Sequence, residues 1–500
     1  MSEQQTTWSF QNRSLERSFY WSLAITVLPV ASGFVVSWVI ARWGGPRMIG
    51  TVSWVMSFAT AALILAKFGL DVASSRLASE YGVQNPGYLR RLFKAGITFR
   101  AVFTVVVGGL ILGFAKPLAT FFGDPTLLGA IRIAALVVVC ASFYEFQENF
   151  LVGLNRLGTV YKIRSTHLIS RITFTIALVL LGAGATTILG GYCAAWLIAI
   201  VAYALLLHRS LPADSGESPE GLTRRLLVLS GTLAISGASV TIFSHMDRLM
   251  LGYFSGVEEV GQYAVARNIA EISLFPVFAI IMMLRPALAA RYSTGEVAEC
   301  SRIIRRSLRF SLVSGVLFAA IFAVLGVPLI TFVFSESFRY SGELMVLFIW
   351  IIVFRSIGSV ILPALVAAER TKAYAYLTTL SAVINFVLNL VLIPRFQSKG
   401  AILATIISYG VLMVIGLRQV VTTYQVRVGT RAISLGLRTV LAGILSAGLI
   451  WWLFDSSGPE WGILLWAALL TALYLALIFV FRVGSVGDLR RLLNVRYSRG

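Results

Sequence analysis

Residues 243–266 read FSHMDRLMLGYFSGVEEVGQYAVA, and the reading of the whole chain starts from this stretch. His245, Asp247 and Arg248 lie beside an apolar run, and Gly256 and Gly261 follow with a five-residue step. An ionised residue near the middle of a spanning helix costs about 2.5–3.5 kcal/mol on insertion scales, so an acid and a base side by side imply surroundings of protein or water rather than lipid. The glycine step recurs as Gly45 and Gly50 in WGGPRMIGTVSWV. Two further pairs share nearly the same offset of about 210 residues: LVGLNRLGTVY around Arg156 with LVAAERTKAYAY around Arg370, and GGYCAA at Gly191 with KGAILA at Gly400. This pattern predicts an internal duplication of the kind from which many transporters are built.

The composition agrees with a membrane setting. Hydrophobic residues make up 58% of the chain and charged residues 13%, with a mean hydropathy of +0.84; a soluble globular protein carries about 25% charged residues. The expected fold class is an all-α polytopic membrane protein with about fourteen transmembrane helices. The apolar runs fall near 19–41, 48–69, 95–115, 127–149, 165–184, 186–207, 226–251, 260–284, 308–334, 343–367, 373–394, 400–420, 434–454 and 461–481. The expected organisation is an N-terminal lobe over 1–210, a polar linker over 211–225, a C-terminal lobe over 226–425, and a helix hairpin with a cytoplasmic tail over 426–500. In that tail Leu489, Leu492 and Leu493 stand at helical spacing beside arginines, as an amphipathic segment on the inner leaflet would.

The net charge of +20 is an orientation signal. Most of the 42 Lys and Arg sit in or beside the termini and the even-numbered loops, which places both termini in the cytoplasm by the positive-inside rule. A basic excess so placed suits anionic membrane lipids and gives no reason to expect nucleic-acid binding. Cys140, Cys193 and Cys300 show no paired spacing, so neither a disulfide framework nor a metal site is expected. No nucleotide-binding P-loop occurs, no cofactor is implied, and the outer connections are too short to carry a catalytic domain; no catalytic residue is assigned.

Five segments in order carry a family resemblance: SGFVVSWVIARWGGPRMIG, FGLDVASSRLASEYG, ENFLVGLNRLGTVYKI, HMDRLMLGYFSGVEEVGQYAVA and IPRFQSKGAILATIISYG. Over most of residues 15–425 the chain resembles the polysaccharide-transporter branch, the Wzx-like lipid-linked oligosaccharide flippases, of the multidrug/oligosaccharidyl-lipid/polysaccharide (MOP) flippase superfamily. The resemblance implies two six-helix lobes around a cavity that opens alternately to either side. It also implies inner-membrane export of an undecaprenyl-pyrophosphate-linked oligosaccharide for O-antigen, exopolysaccharide or capsule synthesis. A polysaccharide polymerase and a chain-length regulator would fit as partners. The family pattern IPxxGxxGAAxAT is departed from at Gln397 and Ile402, which stand where small residues are usual. The alternatives are cation-coupled efflux of a drug or metabolite, flipping of a peptidoglycan precursor and, from another class, a membrane glycosyltransferase or polymerase.

An anionic headgroup favours Arg or Lys along its path. The cations read as lying inside spans are Lys67, Arg132, Arg248, Arg267 and Arg355. Arg355 stands near the middle of FIWIIVFRSIGSV; it either lines a cavity or pairs with an acid on another helix. Arg248 lines a cavity or snorkels to the interface, Lys67 can do the same, and Arg267 and Glu271 are four apart on one helix face, where they can pair. Asp247, and Glu145 with Glu148 three residues apart, are candidates for a coupling ion; structural pairing or an interfacial cluster is the alternative. Asn385 and Asn389 read as polar glue between helices.

Overall fold

The computed structural model describes residues 2–124, 127–212, 221–426, 429–454, 462–481 and 483, with side chains throughout these except at 2–27, 232–233, 235–240, 278–283 and 431. Most of the polar linker and the leucines of the tail lie outside the described residues. In chain order the α-helices are α1 (Ser2–Lys67), α2 (Leu70–Gln84), α3 (Leu89–Gly113), α4 (Ala115–Phe121), α5 (Leu127–Gly153), α6 (Leu157–Leu180), α7 (Ala185–Ser210) and α8 (Leu222–Phe254). They continue as α9 (Val257–Ile272), α10 (Phe275–Ser293), α11 (Val297–Val333), α12 (Arg339–Ala367), α13 (Thr371–Thr423), α14 (Thr430–Leu453) and α15 (Gly462–Val480).

Among the described residues ten helices are long and apolar enough to cross a membrane. Two of them are bent pairs. Helix α1 breaks at Gly45, with φ 71°, immediately before Pro46, and α13 breaks at Gln397 three residues after Pro394. The expected span over 260–284 is not one helix: α9 ends at Ile272 and α10 begins at Phe275, with a proline in the first turn of α10, where its missing N–H costs nothing. The segment after the second span, read as a cytoplasmic loop, forms the helix α2, entered through the left-handed Gly69.

By contact the chain forms two units. The first holds Met1–Ala264 with Asn389–Gln397, and the second Val265–Leu388 with Ser398–Gly500. Helix α8 and the start of α9 therefore count with the first unit, although by sequence offset they open the second repeat.

In the first unit α5 packs against α7, α3, α1 and α2, and α1 also against α6 and α8. The repeated glycines are explained here. Gly45 and Gly256 both have positive φ, 71° and 86°, and a Cβ on either would meet nothing within 4 Å, so their role is conformational. Gly50 and Gly261 instead touch each other: a Cβ on Gly50 would stand 1.7 Å from the Val257 carbonyl oxygen, and one on Gly261 would stand 2.1 Å from that of Pro46. Trp54, fully buried, lies against Gly252 and has Phe122 edge-on at 4.7 Å.

In the second unit α11 and α12 form the main contact, and α14 and α15 pack on α11. Tyr474 on α15 donates to the Val313 carbonyl at 3.0 Å, and Gly443 on α14 closes on Val316.

Gln397 holds φ 50° and ψ −130°, a backbone region that suits glycine, at one of the positions where the family pattern has a small residue. Gln397→Gly is therefore expected to stabilise the protein by about 1 kcal/mol, seen as a rise in the thermal unfolding midpoint; an unchanged or lower midpoint would show that Gln397 carries no strain.

Candidate functional site

In the second unit the site is built on Glu271, in the last turns of α9. Arg267, one turn earlier, donates from Nε to Glu271 Oε1 at 3.1 Å, as their spacing predicts. Arg355, mid-way along α12, places Nη1 3.6 Å from the same oxygen, and its guanidinium lies 5.9 Å from the ring centroid of Tyr409 on α13. Both readings of Arg355 thus have support: it pairs with an acid on another helix, yet its side chain stays 27% exposed. Two guanidinia and one carboxylate carry one net positive charge. An exposed cation at this depth is expensive in hydrocarbon.

In the first unit Asp247 is buried on α8. It accepts from the Tyr263 hydroxyl at 2.7 Å and from Asn389 Nδ2 at 2.8 Å. Arg248 is half-buried on the adjoining face, and His245 Nδ1 lies 3.3 Å from Ser57 Oγ. Glu145 pairs with Lys67, which accounts for that lysine without snorkelling. Glu148 pairs with Arg164, whose Nε donates to it at 3.0 Å, and accepts from Tyr144 at 2.6 Å and Tyr203 at 3.1 Å. Each of these two carboxylates has its own cation. In the second unit Asn385 Nδ2 donates to Thr405 Oγ1 at 3.1 Å, so the two asparagines, one turn apart, serve different partners.

Two cations were missed from sequence. Arg100 is fully buried, pairs with Asp71 in the first turn of α2 and donates from Nη1 to the Ala66 carbonyl at 3.3 Å. Arg171 lies on α6 and bonds Ser32 of α1. Both fall inside the spans drawn over 95–115 and 165–184, close enough to their N-terminal ends to be read as flanking charge; depth alone would have found them. Among the described residues no group of three or more His, Cys, Asp or Glu is placed to hold a metal ion.

Residues 15–290 match the family model described as "Polysaccharide biosynthesis protein". The chain belongs to the polysaccharide biosynthesis protein family. A second model, MatE, matches residues 233–391, and the two family matches together support membership of the MOP flippase superfamily. A "Probable low-salt glycan biosynthesis flippase Agl15" of Haloferax volcanii is 23% identical over 74% of this chain and 76% of its own length. The "Lipid III flippase" of Escherichia coli K12 is 24% identical over 60% of this chain and 72% of its own. Among solved structures, "Lipid II flippase MurJ, inward closed conformation" superposes with a TM-score of 0.74, covering 95% of this chain and all of that one at 15% identity. An inward-facing MATE family transporter superposes with a TM-score of 0.67 over 81% of this chain and 99% of that one at 14% identity. At such identities these likenesses speak for the fold alone: an all-α, multi-pass membrane architecture.

Removing one partner of a buried ion pair leaves the other charge uncompensated. Arg100→Ala is expected to destabilise the protein by about 3–5 kcal/mol, whereas Arg302→Ala, which breaks an exposed pair with Glu299, costs about 0–1 kcal/mol. Thermal unfolding of the two variants side by side checks the ranking, and equal midpoints would rule out a structural role for Arg100.

Proposed function

We propose that this protein flips an undecaprenyl-pyrophosphate-linked oligosaccharide from the cytoplasmic to the outer leaflet of the inner membrane, by alternating access, with both termini cytoplasmic. In this reading the sequence repeats, 1–210 and 226–425, supply the two lobes, and 426–500 is an appended hairpin and tail. The observation that carries it is the trio of Arg267 and Glu271 on α9 with Arg355 on the spanning helix α12: a partly exposed group with two guanidinia suits a pyrophosphate, which guanidinium forks recognise bidentately. Arg248 and Lys67 are supporting cations. The named flippases among the relatives support the class, and a polymerase and chain-length regulator would take up the product.

Asp247 is the proposed coupling-ion group. Two of the donors to its carboxylate are neutral, the Tyr263 hydroxyl and the Asn389 amide, and both can reorient when a proton or metal cation arrives. Glu145, Glu148 and Glu271 have cations at hand and are secondary candidates. The same feature favours cation-coupled efflux as the second reading, together with the MatE match over this region.

The deciding assay is leaflet exposure in sealed proteoliposomes, with the lipid-linked glycan loaded on one side and an impermeant glycosidase on the other. Protein-dependent exposure is expected, with Arg355→Ala lowering the rate by about tenfold or more; a wild-type rate for that variant would remove Arg355 from the mechanism. No exposure for any glycan, with dye uptake that follows an imposed gradient, would establish efflux instead. Asp247→Asn is expected to abolish the response of flipping to imposed sodium and proton gradients while leaving the slow passive exchange. An unaltered gradient response would move the coupling site elsewhere.

A further inference from the structure

Arg171 stands apart from the other intramembrane cations. Among the described residues no carboxylate lies within ion-pair distance of it. Its Nη2 donates to Ser32 Oγ at 3.0 Å, its guanidinium carbon lies 5.7 Å from the Tyr192 ring centroid, and its Nε is buried with no hydrogen-bond partner. The side chain is half-buried, and a guanidinium Nε withdrawn from water with its donor unused is destabilising until an anion meets it.

The same helices carry an apolar groove. On α6, Phe174 and Leu178 follow Arg171 at i+3 and i+7 and so share its face. On α7, Gly191 adjoins Tyr192, and a Cβ there would stand 2.8 Å from Leu178 Cδ1, so the two helices touch at the groove floor. Phe174, Ala177, Leu178 and Gly191, with Thr186 and Thr187, line an open and mostly apolar depression of about 600 Å³. From Arg171 to Leu178 the helix rises about 10 Å, toward the Gly182–Gly184 turn.

We propose that Arg171 and this groove bind a polyprenyl phosphate: the guanidinium takes the phosphate, and the groove takes the adjoining part of the isoprenoid chain. One cation and one groove suit one phosphate on one chain. The small side chains at Ala177 and Ala194 leave room for branch methyls. With cytoplasmic termini, phosphate at Arg171 and chain toward the α6–α7 turn is the polarity of a lipid taken from the inner leaflet. The choice of an isoprenoid rests on the flippase reading above; the need for an anionic amphiphile does not.

The test is binding of undecaprenyl phosphate, without glycan, to the full-length protein in phosphatidylcholine nanodiscs, with phosphatidylglycerol as competitor. Arg171→Gln and Ala177→Phe are each expected to weaken binding by about tenfold or more, and Arg171→Lys by less. Ala177 is exposed, so the phenylalanine fills the groove without entering the core and reports on the site even where Arg171→Gln does not fold. Wild-type affinity in Ala177→Phe or in folded Arg171→Gln would overturn the proposal, as would displacement of the carrier by phosphatidylglycerol at equal concentration, which would make this a phospholipid site. Because the assay involves neither glycan nor transport, a protein that binds the carrier but flips nothing defeats the flippase reading alone. One that flips while Arg171→Gln binds normally defeats this site alone.

Discussion

The backbone contact between Gly50 and Gly261 organises the first unit. At these two positions the starts of sequence-matched helices approach so closely that neither tolerates a Cβ. Such an approach needs the preceding chain to turn sharply, and the left-handed Gly45 and Gly256 provide that turn on both sides. The five-residue step is thus one device used twice: a glycine to turn, then a glycine to touch. The aromatic cluster of Trp54, Phe122 and Tyr253 follows from it, because Trp54 lies flush on Gly252 where a side chain would have held it away.

Charge is distributed around this framework by what hydrocarbon permits. An ionised group inside a span survives with a counter-ion, with dense hydrogen bonding, or beside a polar space. Lys67 with Glu145, Arg100 with Asp71 and Arg164 with Glu148 take the first course, and each ties two helices of the first unit. Asp247 takes the second, between Tyr263 and Asn389. Arg355 takes the third while leaning on a carboxylate already held by Arg267.

Much of this was legible in the sequence because hydrophobic runs and local spacing are short-range properties. The spans, the repeat glycines and the Arg267–Glu271 pair need no knowledge of what packs where. The pairings of Lys67, Glu148 and Asp247 were not legible, since each partner lies on another helix. Arg100 and Arg171 were lost for a different reason: a cation five or six residues inside a drawn boundary looks like flanking charge when boundaries are uncertain by a few residues. The interruption between α9 and α10 was obscured because apolar residues continue through it, and only Pro276 marks the place. Gln397 shows the reverse case, in which a departure from the family pattern fell on a residue whose φ is positive, so the anomaly in sequence and the anomaly in backbone coincide.

The contrast between Glu271 and Asp247 bears on how transport and energy supply could be separated within one chain. A carboxylate held by two guanidinia is stabilised as the anion and gives up little to an incoming cation, while the guanidinia keep one net charge for an anionic substrate. At Asp247 two of the donors, the Tyr263 hydroxyl and the Asn389 amide, are neutral and can reorient, which a guanidinium fork cannot do without giving up its charge pairing. The first arrangement suits a fixed binding element and the second a switch. Both arise from which residue the neighbouring helix presents, tyrosine and asparagine in one case and arginine in the other, and neither requires a change in the fold that holds them.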